Sequence, residues 1–492
     1  MIQQQFLVPS SIDIPAILSG LGYSERYIYD HQDKFNYILH LIEERKVFDS
    51  SIESGGYSCL HLDTVRSVIG SRYASEVIKT LLRKGIIQCD GKKLYGDYGS
   101  KSYGYRIHPD FESKAILRNV FKDETMGKKL RERALSYKQR HSRSLRWKHL
   151  TKLRIRTTEA LEHIDAKLNA SLDILDSHQT ETQVPMLREN RKAIEEACQK
   201  ITEAFREQEQ GERKERTPTP TPYSLIPLQL IINATLSHDN QCVNLDKYLR
   251  SLLYGKYNSD LRSIQKLAVS DFFIEQPDPE SRVFTNLSNL SGHLRQFLYH
   301  SEHVRKELIN LDIRNSQPYL FSLLLMDKYR GGIVPDSVSH YIALTANGEF
   351  YEHMMELMGL PLDSTDKAQR IAFKKRFFAT LFFCKTQTSK ASAEGKVFRA
   401  HFPEVAALID LYKERGYEQL AITMQRREAG VILKTISAQL AQEGIWHATI
   451  HDSVVVLREH QENVKALIIQ AFLISVGVAP TVKPEQLNPY FV

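Results

Sequence analysis

Thr449-Ile450-His451-Asp452-Ser453 runs directly into Val454-Val455-Val456, so a carboxylate stands at the mouth of a stretch that must be buried. Leu311-Asp312-Ile313, following Glu307-Leu308-Ile309, repeats the arrangement. An apolar run tolerates a charge only where solvent or a cation can compensate it, because taking an unpaired carboxylate out of water is costly. Both segments are therefore expected to be strands with the acid at a strand end. Two such strands side by side would bring Asp312 and Asp452 close enough to share a pair of Mg²⁺ ions. Taken singly, each aspartate is also what an ordinary strand end or turn carries.

Between the two acids lie Arg370, Lys374, Phe378 and Phe382, spaced by four, which predicts one face of a helix with a slow drift. Its cationic half is suited to phosphates, and its phenylalanines offer a flat surface to a base or sugar. On spacing alone the same residues also describe an amphipathic helix with a basic rim and an aromatic core stripe.

The chain of 492 residues is long enough for several domains, and 42% hydrophobic with 25% charged residues is ordinary for a globular protein. No apolar run approaches the ~20 residues that span a bilayer, so no membrane partner is expected. The opening Met1-Ile2-Gln3-Gln4-Gln5 lacks a secretion signal's basic start. Five scattered cysteines (Cys59, Cys89, Cys198, Cys242, Cys384) include no CxxC pair, which argues against a disulfide framework and a cysteine zinc site. A cytoplasmic protein is expected. Net charge is +7, but Lys128 to Arg156 holds twelve Lys or Arg against one acid, Glu132. Such a stripe is either a solvated helix face or a contact for a phosphate backbone, and the scarcity of acids favours the latter.

Three segments are expected. In residues 1–120, Leu60–Ile69 and Ala74–Lys84 read as amphipathic helices about a Gly70-Ser71-Arg72 turn. A strand from Gly85, a turn at Asp90-Gly91-Lys92-Lys93 and a hairpin closing at Ser102–Ile107 complete a winged-helix order. Arg66, Arg72, Lys79, Arg83 and the tip residues Lys92 and Lys93 would contact nucleic acid; a protein-binding or dimerising winged helix is the other possibility. Residues 121–222 form a basic, thumb-like helical arm: long helices over Ser142–Leu175 and Pro185–Gln210, then a charged and Thr-Pro-rich linker, Glu207–Pro222. Residues 223–492 turn apolar and mixed in pattern.

The motifs of this last segment resemble, in order, the polymerase domain of family A DNA polymerases and the related single-subunit bacteriophage RNA polymerases. Asp312 in Leu311-Asp312-Ile313-Arg314-Asn315-Ser316-Gln317 resembles the first metal-binding motif. Arg370, Lys374, Phe378 and Phe382 resemble R-x3-K-x3-F-x3-Y-G, with Phe383 where glycine is usual. His451-Asp452-Ser453 resembles H-D-[ES]. Ser281–Leu290, with Arg282, is similar to the segment preceding the first motif, and Arg295 to the basic residue after it. Phe402-Pro403-Glu404-Val405 is similar to the segment following the fingers helix, and Gln425 to the glutamine of the helix before the last motif. Glu428 has no counterpart. The resemblance spans about Ser281 to Val492.

It implies an α+β right-hand polymerase with palm and fingers, a thumb-like arm and an N-terminal winged helix. It also implies template-directed extension of a primer 3′-OH, using nucleoside triphosphates and two Mg²⁺ ions. Asp312 and Asp452 would be the metal ligands. Lys374 and Arg370 would hold the triphosphate, Lys374 with a catalytic part, and Phe378 and Phe382 would pack the nucleotide. Arg282, Arg295, Gln425 and His451 would touch primer or template. The family's DNA enzymes exclude ribonucleotides with a glutamate five residues after the first aspartate, bonded to the tyrosine of the second motif. Here that position is Gln317, or Tyr319 if Ser316-Gln317 aligns with the family's Ser-Gln, and Phe382 lacks the tyrosine hydroxyl. The short stretch from Val405 to Gln425 implies reduced fingers.

The first 280 residues carry no proofreading carboxylate motif, since His163, Asp165, Asp173 and Asp176 fall on one long expected helix. His451-Asp452 lacks the serine or cysteine elbow of a hydrolytic pair. The expected protein is a DNA polymerase without exonuclease, from a phage or mobile element. An RNA polymerase or terminal transferase on the same fold, and a winged-helix initiator on a degenerate polymerase scaffold, remain alternatives.

Overall fold

The computed structural model describes residues 5–48, 56–95, 101–119, 123–211, 222–223, 243–360, 367–414, 416 and 418–488. They fall into two units. One comprises Met1–Arg143, Ile155–Asp271 and Asn289–Phe297; the other comprises Ser144–Arg154, Phe272–Ser288 and Leu298–Val492. This division differs from the three consecutive segments expected from sequence, because the helices read as an arm pack within the first unit.

In the first unit, β1 (Gln5–Pro9), α1 (Ile14–Ser19) and α2 (Glu25–Phe48) are followed by β2 (Ser58–Cys59), α3 (Leu62–Ile69), α4 (Ser71–Arg83), β3 (Ile87–Tyr95), β4 (Lys101–Ile107), β5 (Ala115–Asn119) and α5 (Glu124–His141). Strand β1 pairs antiparallel with β5, and β2-β4-β3 form a three-stranded sheet. Apolar residues at helical spacing make the core: Phe35, Ile38, Leu39 and Ile42 of α2, Val65, Val68 and Ile69 of α3, and Ala74, Val77, Ile78 and Leu81 of α4. The helix–helix–hairpin succession read from sequence is therefore present. The turn expected at Asp90–Lys93 is instead a bulge inside β3, where the register with β4 shifts between Cys89 and Lys93 and Gly91 takes φ +67°. Lys92 and Lys93 thus lie within a strand and not at a hairpin tip; residues 96–100 lie outside the described residues.

The helix expected from Ser142 to Leu175 is broken: residues Leu153–Ile155 are extended, and α6 covers Thr157–Ser177. It packs with α7 (Arg191–Gly211) and α8 (Leu245–Ala268). The linker expected over Glu207–Pro222 begins as helix, since Glu207–Gly211 belong to α7, and beyond them only its end at Pro222 is described. There the Tyr223 amide donates to Ser171 Oγ at 2.8 Å, and Lys167 Nζ donates to the Pro222 carbonyl at 3.3 Å.

The second unit is built on a four-stranded antiparallel sheet. Its main elements include β6 (Leu308–Ile313), α9 (Ser316–Lys328), α10 (Asp336–Ala346), α11 (Phe350–Leu357), α12 (Lys367–Phe377), α13 (Pro403–Lys413), α14 (Glu418–Ala429), α15 (Ser437–Gln442), β7 (His447–Ile450), β8 (Ser453–Leu457), α16 (Gln461–Val476) and β9 (Val482–Gln486). Sheet order is β7-β8-β6-β9. Leu308, Ile309, Leu311, Val454, Val455 and Val456 are almost wholly buried, each worth ~1.5–3 kcal/mol of burial. Two π-helical segments interrupt the helices, Phe378–Phe382 after α12 and Gly430–Ile436 between α14 and α15. No helix among the described residues is long and apolar enough to cross a membrane.

Candidate active site

Register brings the two acids together. Asp312, near the end of β6, pairs with Ser453 on one side and Lys483 on the other. Ile450 pairs with Ser453, so His451 and Asp452 are the two-residue loop of the β7-β8 hairpin. The first loop position has a positive φ, usually a glycine's role, and here His451 takes it at +52°. Asp452 is thereby held next to the strand end that carries Asp312. Burial, and then the charge of Asp452, push the Asp312 carboxyl up to about 7; Lys374 pulls the other way.

Just past β6, Asn315 is also left-handed (φ +54°) and starts α9, a conformation that Asn tolerates better than most residues. Its Oδ1 accepts from Arg370 Nη2 at 3.2 Å. Arg370 Nε also donates to Glu352 Oε1 at 2.6 Å, and its guanidinium lies 5.6 Å from the ring centroid of Tyr351. Lys374 Nζ is 5.9 Å from the same centroid. The cations expected on one helix face do share a face, and Arg370 is engaged by a carboxylate that sequence reasoning did not single out.

Beyond Lys374 the four-residue spacing fails. The amide of Phe383 donates to the carbonyl of Phe378 at 2.9 Å, an i to i+5 bond that inserts one residue into the turn. Phe382 consequently turns inward: it is fully buried and packs on Phe321, Phe377 and Phe378. It cannot meet a nucleotide there, which corrects the expectation drawn from spacing. Phe383 emerges instead, 40% exposed and stacked on Phe378 with centroids 5.4 Å apart and planes within 19°.

Tyr319 is likewise a core residue. It is fully buried, edge-on to Phe472, and its hydroxyl donates to the Val478 carbonyl at 2.7 Å. Of the two sugar-sensing candidates only Gln317, half-buried in the first turn of α9, keeps a reachable side chain.

Arg282 and Glu428 meet as a buried ion pair. Arg282 Nε donates to Glu428 Oε1 at 2.7 Å and Nη2 reaches Oε2. Burial pushes the Glu428 carboxyl up to about 7 against the pull of Arg282, and Asp452 adds to the rise. Glu428 had no counterpart in the sequence reading. The available signal was its place four residues after buried Met424 on the inward stripe of α14. Gln425 lies half-buried on the same helix, and His451 sits edge-on to Phe284 at 6.0 Å. Arg295, Lys92 and Lys93 belong to the other unit; Arg295 Nε donates to the Leu290 carbonyl at 3.3 Å.

The donor set suits a hard divalent cation. Carboxylate oxygens are its preferred ligands, and the Asp312 carboxyl is raised by burial and a neighbouring acid, which Lys374 and Lys483 offset only in part. Mg²⁺ is commonly held by one or two carboxylates, with water and substrate phosphates completing its shell. Among the described residues no group of three or more His, Cys, Asp or Glu forms a metal cage.

No family model matches the chain, and no curated protein matches it in sequence. Among solved structures, it is similar to the POL domain of Pol1 from M. smegmatis, in complex with DNA primer-template and dNTP. The identity is 12% and the TM-score 0.40, over 74% of this chain and 72% of that one.

Proposed function

We propose that the chain is a template-directed nucleotidyltransferase, a DNA polymerase that extends a primer 3′-OH without proofreading and serves a phage or mobile element. The observation that carries this reading is the convergence of Asp312 and Asp452 at one sheet end, with Lys374 close enough to act on the Asp312 carboxyl. Asp312 and Asp452 would hold two Mg²⁺ ions, which when bound activate the 3′-oxygen and neutralise charge on the transferring phosphate. Lys374 binds the triphosphate electrostatically and stands near enough to the acids to donate a proton to the departing pyrophosphate. Arg370 holds the phosphates on the outer side of the same helix face. Phe383, backed by the buried ring of Phe378, packs the base or sugar, and Gln317 senses the sugar by volume. Arg282, paired with Glu428, and Gln425 would touch primer or template.

The winged-helix-like segment and α5 would supply nucleic-acid affinity apart from the chemistry. Arg72, Lys79 and Arg83 are exposed on α4, and Lys128, Arg131, Arg133, Lys138 and Arg140 on α5.

A primer-extension assay with deoxynucleotide and ribonucleotide sets, with and without template, tests the reading. Template-dependent extension by the wild type in Mg²⁺, lost at least a thousandfold (~10³) in Asp312→Ala and Asp452→Ala while duplex binding survives, is the expected result. Robust extension by either variant refutes the assignment.

A further inference from the structure

Around Arg370 the second unit gathers a set of buried polar atoms without a hydrogen-bond partner among the described residues. Asn315 Nδ2, on a residue 5% exposed, has no protein partner among the described residues. Nor has the hydroxyl of Tyr351, which is fully buried beneath the Arg370 guanidinium and the Lys374 ammonium. Arg314 Nη2 adds a third cation, 3.7 Å from Glu352 Oε1. Two guanidinium groups, an ammonium, an amide N–H₂ and a phenol O–H are all donors. One carboxylate, Glu352, lies among them; it binds Arg370 through Oε1, and its buried Oε2 has no partner among the described residues.

Arginine–carboxylate pairs are frequently two-pronged, since a carboxylate matches the guanidinium fork with both oxygens. The Glu352–Arg370 contact uses one prong, and Asn315 Oδ1 takes another donor of the same guanidinium. An anion with more oxygens and more charge satisfies this donor set better than Glu352 does.

We propose that Glu352 is a latch: its carboxylate occupies the cation cluster in place of the substrate's phosphates, and a polyphosphate chain must displace it from Arg370 to bind. The latch rests on the polymerase reading for the identity of the substrate, a nucleoside triphosphate, but its chemistry requires only a linear polyphosphate. Glu352 is then a specificity-determining residue that raises the affinity threshold of the site. The opposite possibility, that Glu352 positions Arg370 for phosphate binding, makes the reverse prediction.

The experiment is a calorimetric titration of the full chain with inorganic tripolyphosphate, without primer, template or divalent metal. Glu352→Gln should bind about two- to fivefold tighter than the wild type, the exchange expected on removing a half-exposed competing charge. Glu352→Ala, a second variant checked for an unchanged melting profile, should do the same. Arg370→Gln should bind weakly whether or not Glu352 is present. Unchanged or weaker binding in both Glu352 variants overturns the latch. Primer extension by the wild type, scored separately, decides the polymerase reading. A chain that fails to extend but binds tripolyphosphate more tightly without Glu352 therefore keeps the latch and loses the reading.

Discussion

Arg282 and Glu428, 146 residues apart in the chain, close a two-pronged ion pair whose carboxylate has no exposed surface. A charge so placed is stabilised only by its partner, so removing either one leaves the other buried and unpaired. Glu428→Ala should cost the second unit about 3–5 kcal/mol in urea unfolding. Replacing both residues by apolar side chains of similar volume should cost markedly less than the sum of the two single changes, because no unpaired charge remains. Additive single effects would show that the pair is not coupled. Primer extension should stay impaired in the double variant even where stability returns.

The acid pair should trade stability for chemistry. The Asp312 carboxyl titrates near 7 in the fold against an ordinary 3.8. Between those values the folded chain holds a proton that the unfolded chain has released. Stability from this group is therefore greatest at low pH and is lost as pH rises through 7. Without divalent metal, Asp312→Asn should be more stable than the wild type at pH 8, by roughly 1–3 kcal/mol, and the gap should shrink toward pH 5. A wild type as stable as Asp312→Asn across this range would mean that the carboxylate is already compensated.

Phe382 and Phe383 should separate fold from function. Truncating the fully buried ring, Phe382→Ala, is expected to destabilise by about 3–5 kcal/mol. Phe383→Ala should leave stability within about 1 kcal/mol of wild type. It should raise the KM for nucleotide with little loss of folded protein, since a base stacked on an aromatic ring is worth roughly 1–3 kcal/mol. Steady-state kinetics and melting curves on the same preparations check both halves. A Phe383→Ala variant with unchanged KM would remove that ring from the site.

Sugar discrimination should follow Gln317 alone. Burying a 2′-hydroxyl without a partner costs ~1–3 kcal/mol, so a deoxynucleotide preference of roughly tenfold to a hundredfold is expected. Gln317→Ala should raise ribonucleotide incorporation in direct competition. Tyr319→Phe should leave the preference unchanged and lose only the hydrogen bond to Val478, about 1 kcal/mol of stability. Wild-type preference for ribonucleotides would favour an RNA polymerase.

Local pattern alone placed both acids beside buried strands, because an apolar run tolerates a charge only where it ends; the fold puts Asp312 near the end of β6 and Asp452 in the hairpin loop. The pattern also placed Arg370 and Lys374 on one helix face, since about 3.6 residues per turn is a property of the backbone and needs no partner. Only tertiary structure made the acids neighbours: that follows from the pairing of β6 with β8, whose register is a long-range contact invisible in either strand. The packing of Phe377, Leu381 and Phe382 into the core goes with the single inserted residue that turns Phe383 outward. Such an insertion costs little locally and leaves no mark in the spacing. Tyr319 was ambiguous for the same reason, as an aromatic near a motif reads as a ligand contact until burial makes it core. Glu428 and Glu352 were missed because a carboxylate's role depends on which cation faces it: Arg282 reaches Glu428 from 146 residues away, and Arg370 reaches Glu352 from the following helix.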